Sequence, residues 1–162
     1  MNPNPKLLNP RIEVRTSTRI AYTRHNGPHS SIDKTFRKFI EWCGDKGLIN
    51  ESTKYIGVAH DELAQNSSDE VPYDVAITIN RDFRPQGDTQ VGTLEAGEYA
   101  VVTYQGAYWG IDAAYNWVEE SWLKELGRQR RLAPVFEVYL NDISEVPESQ
   151  LLTDVYIPLE WH

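Results

Sequence analysis

The stretch RIAYTRHNGPHSSIDKTF (residues 19–36) matches EYAVVTYQGAYWGIDAAY (residues 98–115), and this match decides the predicted fold. At an offset of 79 residues, Gly27 aligns with Gly106 and Phe36 aligns with Tyr115. Self-similarity at a fixed separation is typical of a chain built from repeated units. The sequence therefore predicts an internal duplication.

Two later segments continue the match. YIGVAHD (55–61) overlays FEVYLND (136–142) at an offset of 81, and YDVAITI (73–79) overlays TDVYIPL (153–159) at an offset of 80. Small changes of offset are what insertions in the loops of a duplicated unit would produce. We predict a tail at residues 1–10, then one domain at 11–160 whose two repeats cover about 11–80 and 91–160.

Each repeat is predicted to contain a strand, a helix and two more strands. The first strand, from about Arg11 to Arg24, is rich in Ile, Val, Thr and Tyr. Ser30 and Asp33 resemble a capping box at the start of the first helix. The apolar stripes of the two helices are Ile32, Phe36, Phe39, Ile40 and Cys43, and Ile111, Tyr115, Val118 and Trp122 with Leu123 and Leu126 beside them. The helices are predicted to end at Gly44 and Gly47, and at Gly127.

The closing strands of each repeat are separated by acidic, turn-rich loops at Asp61–Pro72 and Asp142–Gln150, and residues 81–90 link the repeats. The predicted fold class is α+β. In it, tandem duplicated β-α-β-β units form an antiparallel sheet with helices on one face. The opposite face would carry a ligand groove where the two units meet.

Composition narrows the possible partners. The net charge of −8 argues against a protein that binds nucleic-acid phosphates and favours neutral or cationic ligands. The single cysteine, Cys43, fits a reducing compartment. The first ten residues hold no apolar core of a signal peptide, and no apolar run reaches the roughly 20 residues that span a bilayer. We expect a cytoplasmic protein without membrane contact.

Glu137 interrupts an otherwise apolar strand, LAPVFEVYLND (132–142), that is predicted to be central in the sheet. Alternation places Glu137 and Tyr139 on one face. Glu137 could be a solvated residue on an open face. It could also be a partly buried acceptor for a cationic ligand, because a carboxylate removed from water needs a partner.

Metal ions and covalent chemistry fit the sequence poorly. The histidines have no cysteine pair and no helical i, i+4 spacing; they are His25, His29, His60 and His162. The segment PHSSID lacks the glycines of a nucleophile elbow. We predict no metal site and no cofactor. The basic cluster GRQRRL (127–132) is interpreted as a solvated hairpin, with an anion-binding patch as the alternative.

The order and spacing of several segments resemble the GyrI-like family, the small-molecule-binding module also found as the effector domain of AraC- and MerR-type regulators. The segments are RIAYTRHNGPHSSIDKTFRKFIEW, YDVAITI, GEYAVVTYQGAYWGIDAAYNWV, and PVFEVYLND followed by LLTDVYIPL. The resemblance implies a duplicated β-α-β-β fold that binds hydrophobic, often cationic molecules. It also implies that Glu137 forms the pocket floor. Only ten residues precede the matched region, so we expect a stand-alone domain that does not itself bind DNA.

Tyrosine and tryptophan side chains supply the rest of the predicted site. Each also has a structural interpretation, as a core-edge ring or as a contact to the following helix. The predicted ligand-binding residues are Glu137, Tyr139, Tyr104, Tyr108, Trp109 and Tyr156.

Three functions remain open. The preferred one is binding of amphipathic, cationic aromatic compounds, in sequestration or in toxin or drug resistance. The second, which the resemblance to the GyrI-like family implies, is hydrolysis of reactive cyclopropane-containing compounds, with Glu137 activating water and Tyr139 as acid or hydrogen-bond donor. The third, also implied by the resemblance, is inhibition of DNA gyrase by protein contact. The first two functions would use the same residues, and of the two we prefer a binding protein to an enzyme.

Overall fold

The computed structural model describes residues 6–60, 71–80, 82–142 and 144–161, so most of the first acidic loop and His162 lie outside the described residues. Eight strands fall within these ranges: β1 Lys6–Arg15, β2 Thr18–Arg24, β3 Tyr55–Ala59, β4 Tyr73–Thr78, β5 Gln90–Leu94, β6 Gly97–Gln105, β7 Val135–Tyr139 and β8 Leu152–Pro158. The helices are α1 Ile32–Asp45, α2 Asp112–Trp117 and α3 Leu123–Leu126, with a π-helical turn, Val118–Trp122, joining the last two. Short 3₁₀ turns occupy His29–Ser31, Tyr108–Gly110 and Glu148–Gln150.

The strands form one sheet in the order β1-β6-β8-β7-β3-β4-β2-β5, and every pairing is antiparallel. This confirms the predicted α+β class with an antiparallel sheet. It also confirms that β7 is an interior strand, lying between β3 and β8. Among the residues that the structure describes, no helix is long and apolar enough to cross a membrane.

The short connection between β5 and β6 requires the sheet to curl. Leu94 ends β5 at one edge, and Gly97 begins β6, which is second from the other edge. Six strand spacings separate these strands in the ladder, about 29 Å in a flat sheet. Three peptide steps span only about 11 Å. The sheet must therefore bend so that its ends approach each other.

The two faces of the curled sheet are both apolar, but different elements cover them. On one face, called the helix face, α1 packs against Val75 and Ile77. On the same face, α2 and α3 pack against Val102 and Val155. The inner face carries Ile20, Ile56, Phe136 and Tyr156, which pack together inside the curl. Alternation along β7 then sends Phe136 and Glu137 to opposite faces.

The helices agree with their predicted stripes in most positions. Phe39 and Cys43 of α1 are buried, as are Val118 and Leu123 in the second helix. Gly127 ends α3 in the left-handed conformation, with φ of 66°. Leu126 is instead exposed, because the π-helical turn rotates the residues that follow it.

Several local predictions were wrong. The predicted strand from Arg11 to Arg24 is two strands, β1 and β2, which pair with different partners. β1 begins at Lys6, inside the predicted tail, and β5, which shares only Gln90 with the predicted linker, is a strand that the predicted four-element unit does not contain. The capping box does not form, since Ser31 is the N-cap and its hydroxyl donates to the Pro28 carbonyl.

The β3–β4 ladder in the first half of the chain corresponds to the β7–β8 ladder in the second half. The number of residues that separates corresponding positions differs from the offset used in the sequence overlay. Ile56 pairs with Ala76 in the first half, and Phe136 pairs with Tyr156 in the second. This correspondence has an offset of 80, whereas the sequence overlay of YIGVAHD used 81. A one-residue slip exchanges the two faces of a strand, so the difference decides which residue corresponds to Glu137.

Candidate functional site

Glu137 lies at the middle of the sheet, on the helix face. Its neighbour across the β3–β7 ladder is Gly57, and only 8% of Glu137 is exposed. The prediction that Glu137 would lie on the face without helices was therefore wrong. Both faces of β7 are lined with apolar residues, and alternation alone does not show which face the helices cover.

Phenol hydroxyls from a strand and from a helix hold the Glu137 carboxylate. Tyr115 in α2 donates to Oε2 at 2.6 Å, and Tyr139 in β7 donates to Oε1 at 2.9 Å. The Tyr139 hydroxyl is also 2.5 Å from the hydroxyl of Tyr73 in β4. Since Tyr139 gives its proton to Glu137, Tyr73 acts as the donor in this second bond. The result is a chain of hydrogen bonds from Tyr73 through Tyr139 to Glu137.

The carboxylate has no positive partner. No Lys, Arg or His side chain among the described residues contacts Glu137, and its hydrogen bonds come from neutral phenols. Burial raises the pKa of Glu137 above its ordinary 4.5; the two phenol hydrogen bonds oppose this rise, and the negative charge of Asp112 adds to it. Burial also raises the pKa of Tyr139 well above its ordinary value, so its hydroxyl keeps the proton that it donates.

Aromatic rings from both helix starts surround Tyr139. The Phe36 ring of α1 meets it edge-on with centroids 5.4 Å apart, and the Tyr108 ring, just before α2, does so at 5.5 Å. The His29 ring, just before α1, lies 6.0 Å from the ring of Tyr73. Tyr108 is 42% exposed, so this ring cluster connects the buried carboxylate to the surface.

The predicted site residues divide into two groups. Glu137, Tyr139 and Tyr108 lie together. Tyr156 does not join them: it pairs with Phe136 and faces the inner side of the sheet. Tyr104 is on the helix face, but its hydroxyl donates to the Ala107 carbonyl and holds the turn before α2. The Trp109 ring, 84% exposed, adjoins Tyr108 in sequence.

The GyrI-like family, described as a GyrI-like small molecule binding domain, matches residues 8–160. The chain belongs to this family. Among curated relatives, the probable transcriptional regulator YgiV of Escherichia coli strain K12 is 30% identical over 146 residues, which cover 86% of this chain and 89% of YgiV.

Solved structures share the GyrI-like fold. The EcmrR C-terminal domain has a TM-score of 0.80 at 15% identity, with 98% of this chain and 99% of that domain covered. The chain spans 59% of the EcmrR chain in its complex with DNA. SAV2435, solved with tetraphenylphosphonium bound, has a TM-score of 0.57 at 16% identity and 94% coverage of both chains. At these identities the likeness concerns the fold alone.

Sequence reasoning missed part of the candidate site. Tyr115 and Phe36 were assigned to apolar stripes, and Tyr73 to an ordinary strand. One signal was available for Tyr115: a buried tyrosine in a helix stripe needs a partner for its hydroxyl. Gly57, which carries no side chain, gave no such signal.

Other polar groups of the GyrI-like domain are engaged in the fold. His25 contacts the Thr35 hydroxyl and the Pro28 carbonyl, and His29 contacts the Val71 carbonyl. In the described ranges, no three His, Cys, Asp or Glu side chains are arranged to hold a metal ion.

The basic cluster of the GyrI-like domain is paired with acidic residues. Each of its three arginines forms an ion pair with a glutamate: Arg128 with Glu98, Arg130 with Glu119 and Arg131 with Glu95. The side chains of the three arginines are 13–22% exposed. The prediction of a solvated hairpin was therefore wrong.

Proposed function

We propose that this GyrI-like domain binds an amphipathic aromatic cation, which reaches the Glu137 carboxylate between the beginnings of α1 and α2. The observation that carries this proposal is a buried carboxylate, 8% exposed, that is held by two phenols and contacts no cation in the described structure. The proposed role is sequestration or effector binding, in drug or toxin resistance or in regulation.

The first argument for the proposal is the charge of Glu137. Removing an ionised carboxylate from water is costly, and a positive partner offsets the cost. Tyr115 and Tyr139 occupy one lone pair on each oxygen. An ionised carboxylate has about four acceptor positions, so a cation can approach without displacing either phenol.

The second argument for the proposal is the set of aromatic rings around Tyr139. A delocalised organic cation is attracted to ring faces, each contact contributing about 0.5–2 kcal/mol. We propose Phe36, Tyr108 and Tyr139 as this lining, with Trp109 as an exposed ring at the entrance. Tyr108 must turn aside to admit a ligand, because Glu137 is almost completely covered.

The relatives support a cationic ligand and a regulatory setting. Tetraphenylphosphonium, the compound bound to SAV2435, is a lipophilic aromatic cation. YgiV carries the name of a probable transcriptional regulator. The net charge of −8 favours the approach of cations in addition.

We also infer that the sheet derives from two copies of one β-α-β-β unit. Strand orders β2-β4-β3 and β6-β8-β7 support this, as do ladders that correspond at an offset of 80. Under this duplication Gly57 corresponds to Glu137. The acid would then be a feature of the second copy alone, and the glycine of the first copy would leave room beside it.

The test compares ligands of the same shape and opposite charge. Tetraphenylphosphonium and tetraphenylborate are titrated by calorimetry into the wild-type chain, Glu137→Gln and Glu41→Gln. Glu41 is an exposed residue of α1, so its variant has the same net charge as Glu137→Gln. The phosphonium has no hydrogen-bond donor, so only the charge–charge attraction is lost in Glu137→Gln; at the low end of the range for desolvated charge pairs, about 1.5 kcal/mol, the phosphonium should bind about tenfold more weakly or worse.

Glu41→Gln should bind the phosphonium like the wild type, and the borate should bind weakly to all three chains. Equal phosphonium affinities for Glu137→Gln and Glu41→Gln would refute the proposal.

Hydrolysis is a second candidate, supported by the hydrogen bond from Tyr139 to Glu137. Burial raises the pKa of Glu137, which makes it a stronger base once ionised. Incubation with a cyclopropane-bearing electrophile, followed by mass spectrometry, distinguishes the candidates. Many water adducts per protein molecule, lost in Glu137→Gln, would favour the hydrolase.

A further inference from the structure

The inner face of the sheet contains a cavity that is separate from the Glu137 site. Its volume is about 220 Å³, and residues of β2, β4 and β5 form part of its lining. The apolar part of its lining consists of Ile20, Val58, Leu94, Tyr99 and Phe136. Phe136 and Glu137 are consecutive in β7 and point to opposite faces, so the sheet itself separates the two sites.

The carboxylate of Asp74 lies at the polar end of this cavity. Asp74 is 4% exposed, and both of its carboxylate oxygens are occupied. Arg24 donates from Nε to Oδ1 at 2.5 Å, and His60 donates from Nε2 to Oδ2 at 2.7 Å. The two contacts hold Asp74 with its charge compensated, in contrast to Glu137.

The guanidinium of Arg24 retains donors that the fold does not use. Its contact to Asp74 is made by Nε alone, and no acceptor from the described ranges contacts its two Nη atoms. The Arg24 side chain is 46% exposed and lines the cavity. A guanidinium fixed at Nε presents its Nη donors in a set direction, which suits a carboxylate.

The second acidic group in the lining does not oppose an anion at Arg24. Glu95 lies at the other side of the cavity, and its carboxylate accepts a 2.9 Å contact from Arg131. The charge of Arg24 is balanced by Asp74, so what Arg24 offers a ligand is its unused Nη donors, and the rings of Phe136 and Tyr99 are part of the apolar lining.

We propose that this cavity is a second ligand site, which takes a small aromatic carboxylate. The ring lies against Phe136 on the inner face, and the carboxylate binds the Nη atoms of Arg24, which Asp74 positions. The site has the opposite charge preference from the Glu137 site, and the two can be occupied together.

Three indole compounds that differ in charge test the proposal: indole-3-acetate, indole-3-acetamide and tryptamine. Binding is followed by NMR of methyl-labelled protein. Indole-3-acetate should bind most tightly and shift the methyl signals of Ile20, Val58 and Leu94. Arg24→Gln should weaken its binding about tenfold or more, since a charge-assisted contact is lost. Arg24→Lys, which keeps the charge without the fork, should lose less.

Two further measurements separate this site from the Glu137 site. Indole-3-acetate should bind equally to Glu137→Gln and to protein saturated with tetraphenylphosphonium. The proposal is overturned if tryptamine binds more tightly than the acetate, if the shifted methyl groups lie on the helix face, or if Glu137→Gln abolishes binding. It is likewise overturned if a folded Arg24→Gln binds the acetate as the wild type does. Should Arg24→Gln fail to fold, the wild-type methyl shifts and the order of the three ligands decide.

Discussion

Gly57 lies directly across the β3–β7 ladder from Glu137, and the absence of a side chain there admits two phenol hydroxyls to the site. A Cβ atom at Gly57 would overlap the Tyr73 hydroxyl and would stand 2.5 Å from the Tyr139 hydroxyl. The glycine thus makes room for the hydrogen-bond chain that ends at the carboxylate.

Gly57→Ala should destabilise the protein by about 1–3 kcal/mol, because the added methyl group overpacks a buried site. Chemical denaturation measures the change. The matched control is Gly44→Ala, in α1, where a Cβ meets no atom within 4 Å. That substitution should stabilise the protein by about 0.5–1 kcal/mol, since alanine favours the helix. A Gly57→Ala variant as stable as the wild type would show that the hydroxyls can move away at no cost.

Glu137→Gln should change how stability depends on pH. Burial raises the pKa of Glu137 in the folded chain above 4.5, so protonation is favoured by folding. This contribution is fully present below the unfolded pKa and is lost as pH rises through the folded pKa. The variant should match the wild type at low pH and become the more stable protein as pH rises above that range. Parallel curves of unfolding free energy against pH would contradict this.

Tyr115→Phe should raise the pKa of Glu137 further, because the Tyr115 hydroxyl donates to the ionised carboxylate at 2.6 Å. Carbon-13 NMR of the labelled carboxyl group reports this pKa directly. Tyr156→Phe is the control, since Tyr156 lies on the inner face and donates to Glu13 instead. An unchanged Glu137 pKa in Tyr115→Phe would mean that water replaces the phenol.

Cys43 should be inert to thiol reagents in the folded protein. It is fully buried in the α1 core, and burial raises the pKa of its thiol to about 12. Because the thiolate is the reactive form, Ellman's reagent should modify the protein only under denaturing conditions. Rapid reaction of the native chain would show that α1 separates from the sheet.

The sequence was sufficient for the parts of the fold that local chemistry determines. The α1 stripe through Phe39 and Cys43, the stop at Gly127 and the alternation at Glu137 and Tyr139 all appear in the structure. Each depends on spacing within one element, which periodicity reports directly.

The remaining features depend on contacts between distant segments. Residues 11–24 have uniform strand propensity, so nothing local shows that the chain changes partner between β1 and β2. The face of Glu137 was assigned wrongly because both faces of the sheet are apolar. Tyr115 contacts the carboxylate from 22 residues away in sequence, and Tyr73 contacts Tyr139 from 66 residues away. Their role follows only from the packed structure.

The most direct test of the central claim is the affinity for tetraphenylphosphonium measured across pH, in the wild type and in Glu137→Gln. If the ionised Glu137 carboxylate holds the cation, wild-type binding strengthens as pH rises through the pKa of Glu137, which lies above 4.5, while the variant binds weakly at every pH. Two coincident, flat profiles would contradict the account.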